Sequence, residues 1–304
     1  MPASRAVYGL RQRSCCAVRR LAALRARWDE HVPRVLDQFR LDGRTAVITG
    51  GGGALGAVFA RALAEAGARV WVTDLDLERA QRVAVELKED GLGADALAVD
   101  VLDRAALDAA AAHIGAVDVL VNSAGGNRPE ATTSSHQPFF DLPLEAVRQV
   151  FDLNFFGGAL LPAQAFGRVL AQQPGGGVIL NISSMAALRP LTSVGGYGAA
   201  KAAVSNFTQW LATHMAREYN PRIRVNALAP GFFLTDQNRY LLLDPATGDL
   251  TPRGQTVVAH TPMGRLGEPA DLAGAVVWLC SDAARFVTGV VLPIDGGFAA
   301  YSGV

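Results

Sequence analysis

Hydrophobic residues recur along this chain in two alternating patterns from Thr45 onward. Short apolar runs rich in β-branched residues predict seven strands, within TAVIT, ARVWVTD, ADALAVDV, VDVLVNSAG, GGVILNISS, IRVNALAPG and VVLPIDGG. Stretches with helical spacing separate most of them, for example residues 77–90 and 144–173. Several strands are apolar on both faces, as buried parallel strands are. The pattern therefore predicts one α/β domain over residues 41–304, a doubly wound, seven-stranded, mostly parallel sheet with helices on both faces.

One segment interrupts this alternation between Phe232 and Arg265. It combines mixed periodicity with the turn signals of DPATGD. Ligands of such sheets bind beyond the carboxyl ends of the strands, and a long segment at that end is more often functional than idle. We therefore predict that residues 232–265 form a lid over the substrate.

The N-terminal part of the chain differs from the rest in composition. Residues 1–28 contain seven arginines and no acidic residue. An organellar transit peptide, a nucleic-acid-binding arm and a poorly ordered extension all fit this composition. We favour the extension, and exclude residues 1–40 from the predicted domain.

Overall composition narrows the class of protein. Of 304 residues, 50% are hydrophobic and 18% are charged, and the formal net charge is zero, so charge gives no reason to expect nucleic acid as a partner. No apolar run reaches the roughly 20 residues of a membrane-spanning helix. The three cysteines form neither a disulfide framework nor the spacing of a metal site. These features predict a cytoplasmic protein with no membrane and no metal.

A run of four glycines lies in TGGGGALG, residues 49–56, between the first strand and the first helix. This arrangement opens a dinucleotide-binding unit, because glycines allow a tight turn and let the backbone approach a pyrophosphate at the helix N-terminus. Asp74 ends the second strand, where a carboxylate accepts hydrogen bonds from ribose hydroxyls and repels a 2′-phosphate. Since the loop contains no Lys or Arg, the predicted cofactor is NAD.

Four polar residues are candidates for the chemistry. Tyr197 and Lys201 share a face at the start of a predicted helix, where the ammonium is expected to lower the pKa of the phenol towards neutrality and make it a general acid/base. Lys201 is one of only two lysines among 28 Lys and Arg residues. Ser184, at a strand end, is expected to hydrogen-bond the reacting oxygen. Asn154 lies in a nearly apolar helix and must be hydrogen-bonded, either structurally or to a catalytic water chain.

Together these motifs resemble the short-chain dehydrogenase/reductase family, whose fold is a Rossmann fold. The shared order is TGxxxGxG, the strand-end Asp, Asn-x-Ala-Gly, Asn, Ser, Tyr-x-x-x-Lys and Pro-Gly-x-x-x-Thr, over roughly residues 40–304. The resemblance implies a catalytic tetrad of Asn154, Ser184, Tyr197 and Lys201. It implies a cofactor site built from Thr49, Gly50, Gly52, Gly53, Leu55, Gly56, Asp74, Asp100, Val101, Asn122, Ala124, Gly125, Tyr197, Lys201, Pro230, Gly231, Phe232 and Thr235.

Two positions depart from the family pattern. Ala54 replaces the usual middle glycine, and the neighbouring glycines are expected to compensate. Ser123 replaces the second asparagine of the commoner Asn-Asn-Ala-Gly, and is expected to supply its polar contact.

Further segments, among them SAGGNRPEATT, NISSMAALRPLT and APGFFLTDQNR, resemble the branch assigned to D-mannonate oxidoreductase or fructuronate reductase. That resemblance implies an NAD-dependent enzyme that interconverts a sugar acid and its keto form. It also implies a homotetramer with the C-terminal FAAYSGV at a subunit boundary. The alternative within enzymes is a dehydrogenase/reductase of another polyol, sugar or 3-oxoacyl substrate; outside enzymes it is a dinucleotide-sensing protein without catalysis.

A sugar-acid substrate carries a carboxylate, and arginine pairs both of its oxygens. Three arginines are predicted to lie in loops beside the crevice, namely Arg189, Arg128 and Arg239. We favour Arg189, because it lies between Ser184 and Tyr197 in the sequence, and place Arg128 second.

Overall fold

The structure, a computed structural model, describes residues 34–235 and 238–303. Residues Phe39–Val304 form one compact unit, which contains the sheet and its helices. The extension predicted for residues 1–40 lies almost wholly outside the described residues, as do Cys15 and Cys16.

Each of the seven predicted apolar segments forms one strand. The strands are β1 (Thr45–Thr49), β2 (Arg69–Asp74), β3 (Ala94–Ala98), β4 (Val119–Asn122), β5 (Gly177–Ile182), β6 (Ile223–Pro230) and β7 (Val291–Ile294). They form one sheet in the order β3-β2-β1-β4-β5-β6-β7, and every neighbouring pair is parallel. The predicted doubly wound fold is confirmed, with a sheet that is parallel throughout. Because the strand order reverses between β1 and β4, a crevice is expected at their carboxyl ends.

The helices follow the strands in alternation. They are α1 (Ala54–Glu65), α2 (Leu77–Glu89), α3 (Arg104–Ile114), α4 (Leu144–Phe151), α5 (Leu161–Gln172), α6 (Gly195–Glu218), α7 (Arg239–Leu242), α8 (Pro252–His260) and α9 (Ala273–Cys280). Short 3₁₀ turns lie at Leu36–Phe39, Pro129–Ala131, Phe139–Asp141, Met185–Ala187, Pro269–Leu272 and Asp282–Ala284. Asp76 caps α2 by accepting hydrogen bonds from the backbone N–H groups of Glu78 and Arg79. Within the described ranges, no helix is both long and apolar enough to cross a membrane.

The helix predicted over residues 144–173 is interrupted in its middle. Between α4 and α5, residues Asp152–Leu160 form a π-helical stretch. Such stretches are rare and occur frequently at functional sites. Hydrophobic periodicity did not predict it, because apolar residues recur before, within and after the stretch and give no sign of the wider turns.

Each face of the sheet buries its own hydrophobic core. Alternate residues of a strand point to opposite faces, so that in β1 Ile48 packs into one core and Val47 into the other. Helices α1, α2 and α9 cover the first face, with Phe59 among the buried residues. Helices α3, α5 and α6 cover the second, with Phe166 among them. The two cores hold the strand ends in fixed positions, and these ends carry the candidate site.

Candidate active site

A cleft of about 560 Å³ opens where the strands end. Most of the sequence-predicted site residues line it: Gly50, Gly53, Leu55, Gly56, Asp74, Asp100, Val101, Ala124, Gly125, Arg128, Ser184, Tyr197, Lys201, Pro230, Gly231 and Thr235. Other predicted residues are absent from the lining, namely Thr49, Gly52, Asn122, Asn154, Phe232, Arg189 and Arg239. The cleft therefore brings the predicted cofactor residues together with Ser184, Tyr197 and Lys201.

The glycine loop leaves no room for side chains. Gly50 has a φ of +61°, and a Cβ added there would lie 2.8 Å from Cα of Ala124. A Cβ at Gly56 would lie 2.8 Å from Cα of Gly51. No side chain caps the N-terminus of α1, so its first backbone N–H groups and positive dipole end are available to an anion. This geometry fits the pyrophosphate of a dinucleotide.

Three polar side chains at the ends of β1, β2 and β4 form hydrogen bonds beside this loop. The carboxylate of Asp74 accepts hydrogen bonds from the N–H groups of Gly52 and Asp76, both at 3.1 Å. Thr49 Oγ1 accepts from the N–H groups of Ser123 at 3.2 Å and Ala124 at 3.3 Å, which ties the end of β1 to the segment after β4. Asn122, at the end of β4, is fully buried and donates from Nδ2 to Asn181 Oδ1 at 2.9 Å.

Arg79 is a cleft residue that the sequence analysis missed. It lines the cleft from the first turn of α2. A Cβ at Gly52 would lie 2.7 Å from Cβ of Arg79 and 3.0 Å from Oδ2 of Asp74, so the base of the arginine side chain lies beside this carboxylate. Arg79 lies outside the glycine loop, and its position five residues after Asp74, on the next helix, was the available signal.

Further lining residues were also missed by the sequence analysis. They are Leu75, Val99, Leu102, Gly126, Gln149, Asp152, Leu153, Ile182, Ser183, Phe233 and Asn238. Gln149 and Asp152 are three residues apart at the junction of α4 with the π-helical stretch, and this helical spacing was the available signal.

Asn154 forms hydrogen bonds with Gly126, in the segment that follows β4. It is fully buried within the π-helical stretch. Its Nδ2 donates to the carbonyl oxygens of Gly126 at 2.6 Å and Val150 at 2.7 Å, and its Oδ1 accepts from the N–H of Gly126 at 3.1 Å. A Cβ at Gly125 would lie 2.7 Å from Oδ1 of Asn154 and 3.1 Å from Nζ of Lys201. These contacts give Asn154 a structural role, and its part in a catalytic water chain stays a prediction.

Tyr197, Lys201 and Ser184 meet at the start of α6. Lys201 Nζ donates to the carbonyl of Ile182 at 2.8 Å and lies 5.8 Å from the centroid of the Tyr197 ring. The Lys201 side chain is 4% exposed, and no carboxylate of the described residues forms an ion pair with it. Burial consequently lowers the pKa of Lys201 to about 8.

Burial of the phenol raises the pKa of Tyr197, and a hydrogen bond with Ser184 lowers it only in part. The sequence predicts that Lys201 brings this pKa towards neutrality, and that prediction is wrong, because the pKa is raised. Desolvation outweighs the other influences on the phenol, and the lysine itself is buried and hydrogen-bonded to Ile182.

The three candidate arginines differ in their positions. Arg128 lines the cleft at the N-terminal end of the 3₁₀ turn Pro129–Ala131. Arg189 is exposed and donates from Nε to the carbonyl of Ala299 at 3.0 Å, so it contacts the C-terminal segment. Arg239 begins α7 and is exposed. Of the three arginines only Arg128 lines the cleft, and which of them binds a substrate carboxylate stays a prediction.

The segment predicted as a lid contains α7 and α8. His260 ends α8, and its ring packs against the rings of Phe298 and Tyr301, with centroid separations of 4.7 Å and 5.2 Å. The ring centroids of Phe232 and Phe298 are 5.2 Å apart. Within the same segment, the backbone N–H of Thr235 donates to Asn238 Oδ1 at 2.8 Å. The C-terminal residues thus pack on this segment, whose function as a lid stays a prediction.

Known proteins resemble this chain over most of its length. A family model described as enoyl-(acyl carrier protein) reductase matches residues 52–299. An uncharacterized oxidoreductase, UxuB, of Bacillus subtilis is 46% identical over 279 residues, which cover 87% of this chain and 98% of that protein.

Several similar solved structures carry a bound cofactor, which is NAD in one and NADP in others. A candidate D-mannonate oxidoreductase from Haemophilus influenzae with bound NAD is 40% identical, with a TM-score of 0.81, over 89% of this chain and 100% of that chain. A gluconate 5-dehydrogenase from Burkholderia cenocepacia, in complex with NADP and tartrate, is 36% identical, with a TM-score of 0.78, over 88% of this chain and 100% of that chain. The two similar structures thus differ in their cofactor.

Proposed function

We propose that this chain, which belongs to the short-chain dehydrogenase/reductase family, is an NAD-dependent enzyme that interconverts D-mannonate and D-fructuronate. The chain is an oxidoreductase of that family; the cofactor and the sugar acid are the proposal. The observation that carries it is the cleft, in which Ser184, Tyr197 and Lys201 share the walls with the glycine loop and Arg128.

The residues of the cleft fit a nicotinamide dinucleotide. The glycine loop and the N-terminus of α1 would hold its pyrophosphate, and Asp74 its adenosine ribose. Asp74 would repel a 2′-phosphate, which favours NAD over NADP, while Arg79 beside it acts in the opposite direction. We give more weight to Asp74, because its carboxylate is oriented by two backbone N–H groups. The similar structure from Haemophilus influenzae holds NAD.

Tyr197 is the proposed acid/base of the reaction. When bound, NAD would supply the acceptor for the hydride of the CH–OH carbon. Tyr197 Oη takes the proton of the substrate hydroxyl on oxidation and returns it on reduction. The Ser184 hydroxyl hydrogen-bonds the same substrate oxygen, and the nearby Lys201 ammonium stabilises the phenolate while it exists.

Arg128 supports a substrate that carries a carboxylate. It is exposed in the wall of the cleft, and among the described residues no carboxylate forms an ion pair with it. A guanidinium in this state can pair both oxygens of a substrate carboxylate. The two solved structures compared above are both named for enzymes of sugar acids.

Arg128→Ala should therefore lower kcat/KM for D-mannonate at least about 10-fold, while it affects an uncharged polyol much less. Steady-state kinetics with hexonates and polyols, each with NAD and with NADP, measure this difference. The wild type should prefer NAD and hexonates.

The matched control is Arg189→Ala, which removes another exposed guanidinium outside the lining and should retain activity. An unchanged kcat/KM in Arg128→Ala contradicts the assignment of Arg128. A wild type that prefers uncharged polyols to every hexonate contradicts the sugar-acid proposal, and one that prefers NADP contradicts the choice of NAD.

The proposal also includes a homotetramer in the cytoplasm, with no nucleic-acid or membrane partner. It is supported by aromatic side chains that contact one another along the π-helical stretch and α6. Phe156 is 38% exposed and Trp210 is 55% exposed in the single chain, and burying such a surface favours association. Light scattering at micromolar concentration should give four times the chain mass of 32.0 kDa. A monomer at that concentration contradicts the assembly.

A further inference from the structure

The contact between β5 and α6 is polar where buried contacts of a sheet with a helix are normally apolar. Asn181 Nδ2 donates to Thr208 Oγ1 at 2.8 Å. The hydroxyls of Ser183 and Ser205 lie 2.7 Å apart, and each lies 3.1 Å from the carbonyl oxygen of Lys201. We name these five residues the polar seam.

The spacing of the polar seam makes it a directional contact. Asn181 and Ser183 are two residues apart, and the N–H of Ser183 continues the strand pairing one residue beyond β5 by donating to the carbonyl of Leu228 at 2.7 Å. The two side chains therefore share one face. Lys201, Ser205 and Thr208 recur at intervals of four and three residues, and so share one face of the helix. Apolar packing is non-directional, whereas these hydrogen bonds depend on the rotation and the height of the helix against the strand.

Further hydrogen bonds connect the polar seam to β4 and to the side chain of Lys201. Asn181 Oδ1 accepts from Asn122 Nδ2 at 2.9 Å, which extends the contact to β4. The two serine hydroxyls have two protons, which allow a chain from either serine through the other to the carbonyl of Lys201. Lys201 Nζ donates to Ile182 at 2.8 Å. The strand therefore holds both the backbone and the side chain of Lys201.

We propose that Asn181, Ser183, Ser205 and Thr208 are positioning residues that hold Tyr197 and Lys201 in register with Ser184. Ser184 follows the strand, whereas Tyr197 and Lys201 belong to the helix, so the reacting groups share a geometry only while the two elements keep one register. A misplacement of about 1 Å can cost on the order of 100-fold in rate. This inference rests on the proposed function, since the rate in question is that of the oxidoreductase.

Thr208→Val tests the polar seam, and Thr213→Val is its matched control. Both hydroxyls bond the carbonyl four residues earlier on α6, at 2.8 Å for Thr208 and 3.2 Å for Thr213, but only Thr208 contacts β5. We expect Thr208→Val to lower kcat about 10-fold, with KM for NAD within about 2-fold. Thr213→Val should match the wild type. Thr208→Ser keeps the hydroxyl and should restore most of the turnover.

A second measurement needs no turnover. Lys88 and Lys201 are the only lysines of the chain, so amine acetylation read by mass spectrometry compares a buried lysine with an exposed internal standard. A displaced helix releases the Lys201 amine from Ile182, and Thr208→Val should raise its labelling relative to Lys88 at least about 3-fold. If Thr208→Val fails to fold, Ser205→Ala, which removes one half-buried hydroxyl of the same seam, should raise the labelling in the same direction.

Two outcomes contradict the positioning role of the polar seam. In the first, Thr208→Val has the same kcat and the same labelling ratio as Thr213→Val. In the second, the kcat of Thr208→Ser is as low as that of Thr208→Val. Absence of turnover in the wild type with every alcohol and ketone tested contradicts the proposed function instead. In that case the labelling ratio still decides whether the seam holds Lys201 in place.

Discussion

Tyr197→Phe is expected to lower turnover at least about 100-fold while it leaves NAD affinity nearly unchanged. The substitution removes only the hydroxyl that exchanges the substrate proton. The ring keeps its packing against Ala131, Ala146 and Val150, so the wall of the cleft is retained. Steady-state kinetics combined with a fluorescence titration of NAD measure the two quantities. Retention of more than a tenth of the wild-type turnover contradicts the assignment of Tyr197 as the acid/base.

The pH dependence of the oxidation rate provides the control for Tyr197→Phe. Alcohol oxidation needs the phenolate, and burial raises the pKa of Tyr197. The phenolate is therefore scarce at neutral pH, and wild-type oxidation should accelerate as pH rises, whereas ketone reduction starts from the phenol that neutral pH supplies. The residual oxidation by Tyr197→Phe should lack this dependence on Tyr197.

Lys201→Met is expected to remove most of the activity but to make the folded chain more stable at neutral pH. The Lys201 ammonium is buried without a carboxylate partner among the described residues, and its pKa is lowered from the ordinary 10.5 to about 8. Such a difference between the folded and unfolded chain corresponds to roughly 3 kcal/mol. Methionine avoids this cost, although it leaves the carbonyl of Ile182 unpaired, at about 1 kcal/mol.

The sign of the pH dependence follows from the lowered pKa. Between pH 8 and 10.5 the unfolded chain binds a proton that the folded chain does not, so the folded wild type gains stability as pH rises through this window. Below pH 8 both states are protonated and the cost of burying the charge is fully present. The advantage of Lys201→Met should thus be largest at pH 7 and shrink towards pH 10.5.

Urea denaturation at pH 7 and pH 10 measures this difference. Lys88→Met is the matched control, because it replaces the other lysine of the chain, whose side chain is 56% exposed in an ion pair with Asp95. It should show no such pH-dependent gain. A Lys201→Met protein less stable than the wild type at pH 7, or a difference independent of pH, contradicts the expectation.

The fold, and the grouping of Ser184, Tyr197 and Lys201 in one cleft, were predictable because they depend on local patterns. The seven strands follow from short apolar runs, and the Tyr197–Lys201 pair from helical spacing. The glycine loop is a continuous stretch of sequence. Each of these signals lies within about ten residues, where sequence spacing translates directly into geometry.

The parts that were wrong, missed or left undecided depend on contacts between distant residues. Arg189 lies between Ser184 and Tyr197 in the sequence, yet its guanidinium contacts Ala299. The pKa of Tyr197 is set by burial, which no local pattern records. Arg79 enters the cleft because α2 packs beside the glycine loop. The roles of the individual site residues, the lid and the domain boundary stay predictions.

The π-helical stretch constrains how the length of this chain can change. On one side of it, Ala146 and Val150 of α4 pack beneath Tyr197; on the other, Phe166 and Leu170 of α5 fill the core under the sheet. The wider turns between them bring both faces into phase. Deleting one residue would rotate α5 by about 100° relative to α4 and turn one of these faces towards solvent. Homologous sequences should accordingly accept exchanges of side chain between Asp152 and Leu160 far more readily than insertions or deletions.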